Sequence, residues 1–351
     1  MSQAWMIYGA NGYTGRLCAE EAVRRGHAPV LAGRTEHSVR AIADPLGLPW
    51  RTFALDDPRA VARGLADSVA VLHCAGPFSA TAQPMIAGCL QTGAHYLDIT
   101  GEIDVFESLH AGHSRWANSG LVVIPGVGYD VVPTDCLAAM LVRELPDATH
   151  LRLAMKQKGG GISPGTTKTS IENMPRGCRV RKDGAIVQRP WGSDSRRIPF
   201  YDGEANTIAI PWGDVATAYY STGIPNIEVY YAAPKRMMDS LVWMNLLGWF
   251  LAIPAVQSRI KKAIDRKVKG PDDQQRAAGE VQLWGEVINA NGDSRTLLMR
   301  TPEAYALTVD SAITSVTTLI ENPLEPGYYT PSLAFGPEFV LGLTGVECWE
   351  V

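Results

Sequence analysis

A chain of 351 residues, 46% hydrophobic and 19% charged, is long enough for two globular domains. Its formal net charge of −4 argues against a surface that tracks nucleic-acid phosphates, so no nucleic-acid partner is expected. The six cysteines are scattered without a CxxC pair, which points to reduced thiols rather than a disulfide framework or a metal site.

The chain opens directly into an apolar strand with no basic and then apolar leader, and a cytoplasmic location is the plain expectation. That strand, Ala4-Trp-Met-Ile-Tyr8, runs into glycines at 9, 12 and 15 and then a helix-forming run, Leu17 to Arg25. A strand, a glycine-rich turn and a helix N-terminus together offer backbone N–H groups to a pyrophosphate, the arrangement of a dinucleotide site. The spacing is GxxGxxG, so the surroundings must carry the assignment. A second apolar run, Pro29 to Ala32, ends at Gly33-Arg34 with no carboxylate at the strand end. An acid there would bind the ribose 2′-hydroxyl of NAD, whereas the planar cation of Arg34 suits the 2′-phosphate of NADP. The alternative is a solvated Arg34 with Glu36 as an NAD-type acid.

Short apolar strands then alternate with helical runs at 50–54, 69–73, 95–98 and 121–124, the pattern of a doubly wound parallel sheet of Rossmann type. Ligands bind at the carboxyl ends of such strands, which singles out Cys74 to Ser79, Asp98 to Glu102 and Pro125 to Asp130. Asp98 and Glu102 could serve chemistry, or could cap the helix expected over 103–117. His73 reads first as a strand-end packing residue, and Cys74 has no base nearby in the sequence.

Beyond Pro133 the rhythm changes. A helix over 134–143, a strand near 151–156, a glycine loop at 159–165, and hairpins turning at Asp183-Gly184 and Asn291-Gly292 describe a second, α+β domain. A helix is expected over 305–321. The predicted division is a Rossmann domain at 1–128, a substrate and dimerisation domain at 129–320, and a segment at 321–351 returning to the first domain. Lys168, after the glycine loop, is either a substrate contact or a solvated helix lysine. The apolar stretch 241–256, followed by Arg259, Lys261, Lys262, Arg266, Lys267 and Lys269, is too short to span a bilayer. It reads either as a helix buried in the domain or at a subunit interface, or as a peripheral membrane contact.

Tyr8-Gly-Ala-Asn-Gly-Tyr-Thr-Gly-Arg16, Ala32-Gly-Arg34, His73-Cys-Ala-Gly-Pro-Phe78, Tyr96-Leu-Asp-Ile-Thr-Gly-Glu102 and Gly128-Tyr-Asp-Val-Val-Pro-Thr-Asp135 resemble the saccharopine dehydrogenase-like oxidoreductases, including trans-acting enoyl reductases. The resemblance implies an NADP-type Rossmann domain, an inserted substrate domain and hydride transfer to or from a small or carrier-bound substrate. It implies that Gly76, Pro77 and Phe78 border the nicotinamide and that Asp98, Thr100, Glu102, Tyr129 and Asp130 line the mouth of the cleft. The cofactor set is then Gly9, Asn11, Gly12, Tyr13, Thr14, Gly15, Arg34, Thr35, Cys74, Ala75, Gly76, Pro77 and Phe78. Val131 and Thr134 stand where many relatives have serine.

Hydride transfer calls for a proton donor near the atom that gains charge, and Tyr129, Asp130 and Glu102 are the catalytic candidates. The leading expectation is an NADP-dependent reductase of an enoyl, imine or carbonyl group, acting as a homodimer. A catalytically lapsed nucleotide sensor or scaffold, at a membrane surface or free of one, is the alternative.

Overall fold

The computed structural model describes residues 4–351, with the side chains at 244, 247–249, 254 and 265 outside the description. In chain order the first elements are β1 (Trp5–Tyr8), α1 (Tyr13–Arg24), β2 (Val30–Gly33), α2 (Glu36–Leu46), β3 (Trp50–Thr52), α3 (Pro58–Leu65), β4 (Ala70–His73), α4 (Phe78–Thr92), β5 (His95–Asp98), α5 (Ile103–Ala111), α6 (His113–Asn118) and β6 (Val122–Ile124). There follow α7 (Val132–Glu144), β7 (Ala148–Lys158), α8 (Pro164–Asn173), β8 (Cys178–Lys182), β9 (Ala185–Arg189), β10 (Ser195–Phe200), β11 (Gly203–Ala209), α9 (Asp214–Thr222), β12 (Asn226–Ala232), α10 (Lys235–Leu251), α11 (Pro254–Lys267) and α12 (Asp273–Ala278). The last are β13 (Glu280–Asn289), β14 (Ser294–Pro302), α13 (Ala304–Glu321), β15 (Gly327–Tyr328), α14 (Pro331–Phe335) and β16 (Glu347–Glu350).

Two compact units result: residues up to Val132 with Leu307–Phe335, and Pro133–Ala306 with Gly336–Val351. The first unit holds a seven-stranded sheet in the order β15-β6-β5-β4-β1-β2-β3 with all pairs parallel, the doubly wound arrangement expected. Its central strands β4, β1 and β2 are buried at every position and largely apolar, as in Trp-Met-Ile-Tyr of β1, the pattern of a parallel sheet covered on both faces.

The predicted boundaries need two corrections. Helix α13, expected in the second domain, belongs to the first unit from Leu307 onward. Its Ala312, Ile313, Val316 and Leu319 recur at helical spacing and pack into the core built on Ile7, Leu31 and Leu72. The closing segment does not return whole. β15 joins the first sheet beside β6, whereas β16 pairs with β14 in the second unit.

The second unit carries a mixed sheet ordered β10-β11-β12-β7-β13-β14-β16, with β8 pairing β12 and β9. β12 and β7 are parallel and the β13–β14 hairpin is antiparallel. At the tight turn of the β8–β9 hairpin, Asp183 and Gly184 have φ of +50° and +79°, as a two-residue primed turn demands. The 241–256 stretch forms α10 and the start of α11, and its described side chains do not fit a helix buried in the domain: Trp243, Leu246 and Phe250 are exposed. No helix among the described residues is long and apolar enough to cross a membrane.

Candidate active site at the carboxyl edge of the first sheet

The β1–α1 turn packs too tightly for side chains. Gly9 has φ +84°, and a methyl group on Gly15 would lie 2.2 Å from the Gly9 carbonyl oxygen. Gly12 differs from both. It is exposed, has an ordinary φ of −77°, and a methyl there would meet nothing nearer than the Gly9 oxygen at 3.2 Å. A methyl there would ask the Gly9 carbonyl to give by a few tenths of an ångström, a far milder demand than at Gly15, and the otherwise open side leaves room for a ligand to approach the backbone. Gly12 also N-caps α1 without any side-chain hydrogen bond, which leaves the helix N-terminus open to an anion.

Two neighbouring loops close on this turn. A Cβ on Gly9 would come within 2.9 Å of Ala75, and a Cβ on Gly33 would lie 2.8 Å from Asn11 Oδ1. The residues after β1, β2 and β4 are thus gathered at one edge, with Arg34 and Thr35 exposed at the end of β2. Glu36, the alternative NAD-type acid, begins α2 and lies 3.7 Å from Arg40 one turn on, an exposed helix-surface pair. Cys74 is no nucleophile: the Cys18 thiol beside it and burial push its own thiol well up. His73 lies wholly buried among the rings of Tyr8, Phe78 and Tyr96, neither ring nitrogen finds a hydrogen-bond partner among the described residues, and burial lowers it to about 3. It is a neutral packing group at every ordinary pH.

The carboxylates divide by what they bind. Glu102 accepts the backbone N–H groups of Phe78 (2.8 Å) and Ser79 (2.9 Å), fastening the loop after β5 to the first turn of α4. Both of its oxygens are engaged in this way, which ties Glu102 to the Gly76-Pro77-Phe78 loop. Thr81 adds to that fastening by donating to the Ala75 carbonyl at 2.7 Å. Asp98 is also consumed. Its Oδ1 accepts from Thr100 N and Gly126 N, both at 2.9 Å, and its Oδ2 accepts from the Tyr96 hydroxyl at 2.7 Å. Burial outweighs these bonds and raises it to about 6.

Asp130 has none of this support. Partly buried, it has no hydrogen bond or ion pair among the described residues, and burial pushes it up from 3.8 to about 6. Its carboxyl rests against Gly101, where a Cβ would sit 2.7 Å from Asp130 Oδ2. The adjoining backbone is held from α13: Thr308 accepts from Tyr129 N at 3.0 Å, and Ser311 donates to the Val127 carbonyl at 2.8 Å. Tyr129 itself is buried. Thr81, Thr308 and Ser311 were not among the predicted residues. Their signal is weak, since hydroxyls on helices usually turn back on their own carbonyls. Lys168 lies half-buried on α8 of the second unit. Val131 is fully buried and Thr134 donates to Asp214 at 2.7 Å, so both positions are structural.

Residues 5–124 match the family model described as the saccharopine dehydrogenase NADP binding domain. A trans-acting enoyl reductase of Mycobacterium tuberculosis is 30% identical over 202 residues, covering 53% of this chain and 48% of that protein. A saccharopine dehydrogenase-like oxidoreductase of Mus musculus is 26% identical over 286 residues, covering 70% and 66%. Over residues 5–124 the chain thus matches an NADP-binding domain of saccharopine dehydrogenase type, and it is similar to saccharopine dehydrogenase-like oxidoreductases and trans-acting enoyl reductases over part of their length. It spans about half the length of the mycobacterial relatives it matches. The saccharopine dehydrogenase (L-Glu forming) of Saccharomyces cerevisiae shares the fold over the full length of both chains, with a TM-score of 0.69 at 10% identity. The open cradle at Gly12, the uncapped α1 and the cation at Arg34 all lie inside the matched NADP-binding domain and fit that cofactor.

Proposed function

We propose that this protein is an NADP-dependent oxidoreductase that reduces a polarised double bond, enoyl, imine or carbonyl, in a small or carrier-bound substrate, with Asp130 as the proton donor. The observation that carries this reading is the unpaired carboxyl of Asp130 at the carboxyl edge of an NADP-binding sheet, raised to about 6. Gly9, Gly12, Gly15 and the α1 N-terminus would hold the pyrophosphate, Arg34 and Thr35 the 2′-phosphate, and Cys74 to Phe78 the nicotinamide end. Bound NADPH supplies the hydride.

Asp130 supplies the proton that completes the reduction, to the atom on which negative charge develops. At its ordinary 3.8 a carboxyl group would be protonated in fewer than about one molecule in a thousand at pH 7; at about 6 it is protonated in roughly one in ten. Partial exposure lets water return the proton after each turnover. Glu102 and Asp98 keep the surrounding loops in register. Two of the relatives are named for enoyl and saccharopine dehydrogenase-like chemistry, and this supports testing both substrate classes.

The test is NADPH oxidation by the full chain against a panel of enoyl thioesters, cyclic imines and ketones. Turnover of one class that is lost in Asp130→Asn supports the reading. Tight NADPH binding with no turnover of any class would favour the nucleotide-sensor alternative.

A further inference from the structure

We infer that the second unit docks on an anionic lipid surface through α10 and α11. The two sides of α10 differ. Leu241 packs against the core around Tyr230 and Trp284, and Asn245 clasps the backbone of Trp191, accepting from its N–H at 2.8 Å and donating to its carbonyl at 2.9 Å. Roughly 140° to 200° around the helix from Leu241 lie Trp243, Leu246 and Phe250. These three are 66%, 64% and 47% exposed. The clasp at Asn245 fixes the rotation of the helix, so the outward stripe belongs to the fold and is not a frayed end. Trp and Phe on such a stripe suit the boundary between headgroups and acyl chains.

Charge identifies the occupant. Residues 235–269 hold eight Lys and Arg against two Asp, a local charge of +6 in a chain whose net charge is −4. Lys235 and Arg236 begin α10, and Arg259, Lys262, Arg266 and Lys267 are exposed along α11. Among the described residues, Lys261 pairs with Glu172 at 2.7 Å, and the other α11 cations have no such partner. A second copy of the chain is the poorer fit, because a two-fold interface would set this positive patch against itself. An anionic bilayer meets both demands: its surface potential attracts the cations, and its interface takes up the aromatic stripe. With no spanning helix among the described residues, the contact lies on the surface.

The test is flotation of the full chain with vesicles of phosphatidylcholine alone and of phosphatidylcholine with phosphatidylserine, at low salt and at about 1 M salt, where the screening length falls to about 3 Å. The protein is expected to float with the anionic vesicles, to stay behind with the neutral ones, and to be released by salt. Replacing Trp243, Leu246 and Phe250 together by Ser should abolish flotation with an unchanged melting curve. If that variant does not fold, Lys262→Glu with Arg266→Glu serves instead and should weaken partitioning roughly tenfold or more, since each cation near the surface contributes about fivefold. Absence of flotation with anionic vesicles, or equal flotation with neutral ones, overturns the inference. So does a serine variant that floats like the parent. A parent that does not float and is dimeric, with a monomeric serine variant, would assign the stripe to a subunit interface and overturn it as well.

Discussion

Asp130→Asn is expected to make the protein more stable and nearly inactive, a combination that separates a catalytic carboxyl from a structural one. Folding raises Asp130 from 3.8 to about 6, so the native state binds a proton more readily than the unfolded chain between those values. Its stabilising share is present below pH 3.8 and is lost as pH rises through 6. At pH 7 the ionised group is a cost of about 3 kcal/mol if the whole shift is counted, and about 1–2 kcal/mol once its partial exposure to solvent is discounted. Asn keeps the shape and removes the charge, so urea unfolding at pH 7 should show a gain of about that size, shrinking toward zero at pH 4. Turnover should fall by roughly 10² to 10⁴, the usual contribution of a general acid, with NADPH affinity unchanged. In the parent, the reductive rate should decline about tenfold per pH unit above 6, and the residual rate of the variant should lack that limb. A variant that is less stable at pH 7, or one that keeps its turnover, would refute the assignment.

Gly12→Ala should lower the melting temperature only slightly, its methyl lying 3.2 Å from the Gly9 oxygen, and lose NADPH, whereas Gly15→Ala should lower it strongly by itself, because its methyl would lie 2.2 Å from the same oxygen; melting curves with and without NADPH distinguish the two. NADPH should bind at least about tenfold more tightly than NADH, about 1.4 kcal/mol, and Arg34→Ala should erase most of that ratio in calorimetric titration. His73→Phe should flatten the acid side of the stability profile. Burial lowers His73 from 6.5 to about 3, so the unfolded chain takes up the proton first, and stability is lost as pH falls below 6.5 toward 3. Between pH 7.5 and 5 the variant should gain about 2 kcal/mol on the parent in urea unfolding, a difference in which the opposing effects of Asp98 and Asp130 cancel. A constant gap would mean that His73 is hydrated.

The first unit was legible because its signals are local. Strand β5 lies at His95–Asp98 as the apolar run predicts, and each strand-end loop followed from the alternation of strand and helix. The destination of α13 was not legible, since an amphipathic helix announces a buried face without naming the core that buries it. Nor was the support of Tyr129 by Thr308, a bond across 179 residues of sequence. Glu102 was ambiguous for a chemical reason: capping a helix and transferring a proton both call for a carboxylate at the same strand edge. The exposure of Trp243, Leu246 and Phe250 ran against the ordinary expectation that such residues are buried.

A shifted titration would not by itself separate Asp98 from Asp130, because burial raises both to about 6. The distinction lies in their partners. Asp98 collects Thr100 N, Gly126 N and the Tyr96 hydroxyl, and so joins the ends of β5 and β6. Asp98→Ala would leave two backbone N–H groups and a phenol unpaired in a dry site, at about 1–3 kcal/mol for each orphaned group. It should therefore destabilise the protein by several kcal/mol in urea unfolding and weaken NADPH binding as the loops after the strands lose register. Asp130→Ala orphans nothing, and should be neutral or stabilising while leaving NADPH affinity intact. Should both alanine variants stabilise the protein, the bonds to Asp98 would not offset the cost of burying it, and partner accounting would no longer single out Asp130. Should both destabilise it, Asp130 would be holding a bond in solution that the fold does not reveal, and the proton donor would have to be sought at Tyr129.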